Sequence, residues 1–214
     1  MNMLWDFLFP PHCPSCNSYV GEQGQWCQEC LDKTLVCHQL PIVSDLQKIF
    51  PQGIWCLGMY QGSLRDLVRS LKYQKQKKNL AGLHSFIGAG LEQIHIAGDV
   101  VVPVPLHGHK LAQRGFNQSQ LLFEKPFAQR GLATEELLSR QVDTKPQFGL
   151  SARERQANMQ QVFVATRPER IVGRDVILVD DIMTTGATLA ACGEILLQAG
   201  ARSVVGLVLA SGRK

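Results

Sequence analysis

No stretch of this 214-residue chain approaches the 18 or so consecutive uncharged apolar residues that a membrane-spanning helix requires. Charge of either sign is scarce. Charged residues are 19% of the chain, and 22 basic against 18 acidic residues leave a net charge of only +4. That balance alone does not argue for nucleic acid, which calls for a larger or more clustered basic footprint. There is no internal repeat and no low-complexity tract. Neither a Walker A sequence nor a GxGxxG is present, so a P-loop ATPase and a dinucleotide fold both lose support. The apolar start, Met1 to Pro10, lacks a basic n-region and a small-residue cleavage site and reads poorly as a signal peptide. The expected compartment is the cytoplasm. The seven cysteines therefore read as reduced thiols or metal ligands rather than disulfides.

What is present is a soluble globular composition, 45% hydrophobic, long enough for one ordinary domain and a small appendage. Residues 1–40 hold five of the cysteines and few helix signals, and are expected to form a separate module; residues 41–214 form the main domain. Ile54 to Tyr60 reads as a strand. Leu64, Leu67, Val68 and Leu71 recur at helical spacing, and a second helix is expected over Leu80 to Ile94. From residue 99 the text changes to apolar, β-branched runs at Asp99–Pro105, Asp175–Asp180 and Ser203–Leu209. Shorter strands are expected near Leu137–Gln141 and Val162–Ala165. Continuous apolar runs with helices between them predict an α/β fold, a parallel five-stranded sheet buried on both faces and flanked by helices.

Cys13-Pro14-Ser15-Cys16 and Cys27-Gln28-Glu29-Cys30 form two CxxC knuckles ten residues apart. Four thiolates at this spacing suit tetrahedral zinc, which would fold a segment too small for a core of its own. Four protein ligands leave no open position, so the zinc is structural. The rival readings are redox thiols or unligated core cysteines. Cys37 with His38 is a lesser candidate for a ligand position, and Cys56 and Cys192 sit in apolar patterns that predict packing roles.

The run Asp175–Asp180 leads into Asp180-Asp181-Ile182-Met183-Thr184-Thr185-Gly186-Ala187-Thr188 and then into a helix. Ligands of open α/β sheets bind beyond the carboxyl ends of the strands. Thr184, Thr185 and Thr188 supply hydroxyl donors, and Gly186 permits a tight turn that aims successive N–H groups at one anion at the helix N-terminus. This suits a phosphate monoester. Two adjacent carboxylates repel unless ribose hydroxyls or a magnesium ion satisfy them. The alternative is that Asp180-Asp181 only caps the helix.

The string Val176 to Thr188 resembles the signature of type I phosphoribosyltransferases. The resemblance implies that Asp180 and Asp181 hold the ribose hydroxyls of phosphoribosyl pyrophosphate and that Thr184, Thr185, Gly186, Ala187 and Thr188 hold its 5-phosphate. It places the pyrophosphate loop after strand 100–104, at Pro105-Leu106-His107-Gly108-His109-Lys110, and a mobile catalytic loop at 146–160, where Arg153 and Arg155 are candidates for approaching the leaving group. A narrower match adds the early cysteine pairs, Leu71-Lys72-Tyr73, Val102-Pro103-Val104-Pro105-Leu106 and Arg114-Gly115-Phe116-Asn117-Gln118-Ser119. Together with Gln147, Arg153, Arg155, Asn158 and Phe163, these resemble the ComF family, a competence-associated group linked to uptake of transforming DNA. On that resemblance Lys72 and Arg114 join Pro105, Leu106 and His107 as pyrophosphate ligands, and Asn117 and Gln118 orient a substrate.

Two function classes stay open: a transferase that displaces pyrophosphate by a nitrogen nucleophile, with magnesium, and a sugar-phosphate sensor that binds single-stranded DNA alongside other competence proteins. Arg69, Lys72, Lys75, Lys77 and Lys78 form a basic run that attracts phosphates or merely solvates a helix face. Tyr73, Phe116 and Trp26 are the aromatics nominated for stacking on bases. His107 and His109 form an HxH without a third ligand, which reads as a loop feature. No residue presents itself as a general base, and the oligomeric state is not encoded in any motif.

Overall fold

The computed structural model describes residues 10–74, 79–141 and 162–212. In chain order the helices are α1 (Gln28–Thr34), α2 (Ser44–Ile49), α3 (Gly62–Gln74), α4 (Leu80–Gln93), α5 (Gly108–Arg114), α6 (Gln118–Ala128) and α7 (Ala187–Gln198). The strands are β1 (Leu35–Gln39), β2 (Ile54–Met59), β3 (Val100–Pro103), β4 (Leu138–Arg140), β5 (Phe163–Ala165), β6 (Asp175–Met183) and β7 (Ser203–Ser211).

The central sheet has the order β1-β2-β7-β6-β3. Strands β2, β7, β6 and β3 are mutually parallel, and β1 joins the edge antiparallel to β2. Side chains on a strand alternate between faces, and here both faces are covered. Val101, Ile177, Val179, Val205 and Leu207 pack on one side with Leu64, Val68, Leu83 and Phe86 of α3 and α4. Val100, Val102, Val176, Leu178 and Val204 pack on the other with Leu189, Cys192 and Leu196 of α7 and Phe50 beyond α2. This double burial is why the strand sequences are continuously apolar. Helix α3 buries Leu64, Leu67, Val68 and Leu71, while Arg65, Asp66 and Arg69 remain exposed.

Two expectations need correction. The segments near 137–141 and 162–165 do form strands, but they pair antiparallel with each other in a two-stranded sheet, Leu138 opposite Ala165 and Arg140 opposite Phe163. The fifth strand of the central sheet is instead β1. Its sequence, Leu-Val-Cys-His-Gln, has neither strict alternation nor a continuous apolar run; pairing with β2 imposes the strand.

The cysteine segment docks on the near ends of α3 and α4. Gly24, at φ +83°, comes so close to Ala81 that a Cβ there would stand 2.5 Å from the Ala81 carbonyl carbon. Trp26 donates its indole N–H to Gly82 O at 2.8 Å and packs on Phe86, while Ser15 Oγ meets Ser63 Oγ at 2.7 Å in the first turn of α3. Trp26 is therefore a buried anchor, 4% exposed, and is withdrawn as a base-stacking residue. Among the described residues no helix is long and apolar enough to cross a membrane.

Candidate functional site

Strand β6 runs three residues past Asp180, so the two carboxylates lie within a paired strand rather than after it; Asp180 pairs with Val208 and Ile182 with Ala210. Neighbours on a strand leave on opposite faces. Asp181 turns toward α3, where Lys72 Nζ stands 2.5 Å from its Oδ2. Both side chains are largely buried, and this contact lacks hydrogen-bond alignment, so that oxygen has an ionic partner but no hydrogen-bond donor. Asp180 is partly buried, and its Oδ1 accepts from Ser119 Oγ and from the Asp181 N–H, both at 2.8 Å. Burial, followed by the charge of Asp181, pushes the Asp180 carboxyl up to about 7.

Beyond the carboxylates the chain turns at Gly186, φ +87°, where a Cβ would stand 2.8 Å from Met183 Cε, and then enters the twelve-residue α7. Thr184, Thr185, Ala187 and Thr188 are exposed around this turn, and no side chain caps the helix. Thr185 Oγ1 instead accepts from the Ala187 N–H at 3.4 Å. The capping alternative for Asp180-Asp181 is thereby excluded: one carboxylate is tied to Ser119 and the other to Lys72. A cavity of about 450 Å³ opens beside the turn, lined by Tyr60, Lys72, Asp181, Ile182, Met183 and Thr184.

The Arg114–Ser119 stretch is a positioning device. Arg114 ends α5, and Gly115, at φ 80°, stops the helix. Asn117 caps α6 by accepting from Ser119 N, and it donates to Val104 O at 3.0 Å, locking the end of β3 to α6. Asn117, Gln118 and Ser119 are all buried; Ser119 holds Asp180, and Asn117 ties down the loop after β3 while also lining the cavity beside Pro105 and Leu106. Arg114 donates to Gln118 Oε1 at 2.8 Å and lies over the Tyr73 ring, 5.7 Å from its centroid.

After β3, Pro105 and Leu106 line a second cavity of about 320 Å³. His107 caps α5, its Nδ1 accepting from His109 N, which accounts for the HxH without a metal. The opposite wall of this cavity includes Ser139 and Arg140 of β4. Sequence reasoning passed over Tyr60 and Arg140, since neither belongs to a motif. Gln147, Arg153, Arg155, Asn158, Lys75, Lys77 and Lys78 lie outside the described residues.

The Sγ atoms of Cys13, Cys16, Cys27 and Cys30 all lie within 4.8 Å of one another, and Cys16 and Cys27 are 3.6 Å apart. In a zinc–thiolate tetrahedron with bonds of about 2.3 Å, sulfurs stand about 3.8 Å apart. All four are free thiols, so the donor set fits structural zinc. Cys37 and His38 do not join it among the described residues: Cys37 faces Leu57 O and Gly90 O, its thiol pushed up to about 11 by burial, and His38 meets Val36 O at 2.8 Å. Cys56 and Cys192 are fully buried, as packing residues should be.

Residues 4–57 match the double zinc ribbon domain, and residues 126–214 match the phosphoribosyl transferase domain. The DNA utilization protein YhgH of Salmonella typhi is 31% identical over 90% of this chain and 80% of its own length. Competence protein F of Haemophilus influenzae is 27% identical over 91% of this chain and 82% of its own. The chain belongs to the ComF family. Its ComF architecture is a zinc ribbon docked on a phosphoribosyltransferase-like α/β domain. Among solved structures, glutamine phosphoribosylpyrophosphate amidotransferase from B. subtilis is similar at 19% identity and a TM-score of 0.45, covering 66% of this chain and 30% of that one.

Proposed function

We propose that this ComF protein binds phosphoribosyl pyrophosphate with magnesium at the carboxyl end of β6 and serves DNA uptake in natural transformation, in the cytoplasm. The observation that carries the reading is the conjunction at the turn: Asp180 and Asp181 lie near the end of a parallel strand that runs to Met183, and exposed Thr184, Thr185 and Thr188 ring the uncapped N-terminus of a twelve-residue helix beside an open cavity. Free N–H groups and hydroxyls there suit the 5-phosphate, and the helix dipole favours its charge. The carboxylates suit the vicinal hydroxyls of a ribose. Magnesium favours one or two carboxylates completed by substrate phosphates, which fits this hard-oxygen pair, and it would neutralise diphosphate charge as the leaving group departs. The chain's own groups supply positioning: Ser119 orients Asp180, and Lys72 offsets Asp181.

As a transferase the protein would join a nitrogen nucleophile to the anomeric carbon as pyrophosphate leaves. A second reading, a non-catalytic sugar-phosphate sensor that binds single-stranded DNA among other competence proteins, draws on Tyr73. That ring is 71% exposed with Arg114 over it, and Arg69 is exposed on the same helix, the combination of stacking face and cation that single strands use.

Calorimetric titration with phosphoribosyl pyrophosphate and magnesium tests the shared core of both readings. Replacing the exposed pair, Thr184→Val with Thr185→Val, should weaken binding by about tenfold or more. Asp180→Ala with Asp181→Ala should weaken it further. Equal affinity in all three proteins would remove the proposal. Pyrophosphate release with a panel of nitrogenous bases, against salt-dependent retention of a labelled single strand, separates transferase from sensor.

A further inference from the structure

The cavity behind the loop that follows β3 contains a cation that no expected site residue accounts for. Arg140 is the last residue of β4 and lines that 320 Å³ space opposite Pro105, Leu106 and Gly108. Its Nε is buried and has no hydrogen-bond partner. The Phe163 ring lies 5.4 Å from the guanidinium carbon, and the buried Cys192 thiol is within electrostatic reach of it. A guanidinium stacked on an aromatic face loses some hydration and keeps its in-plane donors directed outward. A buried donor on a permanent cation is costly to leave unmade, and an arginine fork matches phosphate oxygens in geometry and charge. The one carboxylate lining the cavity belongs to Glu136, which is exposed. The two cations expected at the diphosphate are committed elsewhere: Lys72 to Asp181, and Arg114 to Gln118 and Tyr73.

We infer that Arg140 binds the diphosphate group of the ligand, from the β4–β5 side, across the cavity from Pro105 and Leu106. The inference rests on the phosphoribosyl reading above, because that reading places the sugar on β6 and its diphosphate toward β3. Arg140 then discriminates a sugar diphosphate from a sugar monophosphate: the 5-phosphate turn serves both, and only the diphosphate reaches β4.

Two titrations on the full chain test this, one with ribose 5-phosphate and one with inorganic pyrophosphate added to protein saturated with ribose 5-phosphate. Arg140→Gln should weaken pyrophosphate binding by about tenfold to a hundredfold, the loss of charge-assisted bonds, and leave ribose 5-phosphate unchanged. Unchanged ribose 5-phosphate binding also certifies that the variant is folded. Arg140→Lys, which keeps the charge without the fork, should fall between. Ribose 5-phosphate bound, with pyrophosphate affinity the same in wild type and Arg140→Gln, overturns the role of Arg140 alone. So does a parallel loss of both ligands in Arg140→Gln and Arg140→Lys. A wild-type protein that takes up neither ligand overturns the phosphoribosyl reading and this inference together.

Discussion

The ribbon and the turn that follows β6 are assembled by opposite means. The ribbon gathers four sulfurs from eighteen residues of chain, Cys13 to Cys30, and its geometry is a matter of local spacing completed by a metal. The turn draws its groups from β6, from α3 through Lys72, and from the start of α6 through Ser119. One centre fails when a ligand atom is lost; the other fails when a distant helix moves. The two meet at Ser15 and Ser63, where the first knuckle touches the first turn of the helix that carries Lys72.

Four measurements would break or sharpen that contrast. Cys27→Ser should have the largest effect. Structural zinc in zinc-finger peptides carries an apparent binding free energy of about 10–16 kcal/mol, so metal analysis should find the zinc lost and Trp26 fluorescence should shift toward that of a solvated indole. Zinc retained at one per chain would deny the four-thiolate set. Lys72→Met comes next. It strands a buried carboxylate, and removing one partner of such a pair costs roughly 3–5 kcal/mol; urea unfolding reads the loss, with zinc content unchanged.

The third measurement uses pH. The Asp180 carboxyl is raised in the fold from 3.8 to about 7. A raised acid stabilises the fold fully below its unfolded value, and that contribution is lost as pH climbs through the folded value. The difference in stability between wild type and Asp180→Asn should therefore change steadily between pH 4 and 7, against the wild type as pH rises, and flatten above it. A constant difference would mean that Asp180 titrates normally. Smallest is Ser15→Ala, at about 0.5–1.5 kcal/mol for one neutral hydrogen bond. A loss confined to thermal stability would mark the junction as simple docking; a parallel weakening of phosphoribosyl pyrophosphate binding would mean that the two centres communicate through α3.

Legibility followed the same division. Both cysteine knuckles and the Asp-Asp-threonine string were plain in the sequence because each is contiguous, and β3, β6 and β7 were plain because burial on both faces leaves continuous apolar runs. β1 was illegible, since its burial alternates irregularly and pairing with β2 decides its state. β4 and β5 were found but given the wrong partner, as three-residue strands hold no information about which sheet receives them. The Lys72–Asp181 contact joins residues more than a hundred positions apart, and Arg140 is a single cation in a three-residue strand; neither leaves a pattern to read. Asn117 and Gln118 were legible as important, but their hydrogen bonds to Val104 O and Arg114 join separate elements and could not be read from the string.

One peptide step on β6 separates two environments. Because Asp180 and Asp181 emerge on opposite sides of the sheet, each acid meets a different first partner, Lys72 of α3 for Asp181 and Ser119 at the start of α6 for Asp180. The charge of Asp181 helps raise the Asp180 carboxyl and that of Lys72 lowers it, so a substitution on the α3 side is felt by both acids. A change made in one layer is therefore transmitted through a single peptide unit to the carboxylate that faces the other.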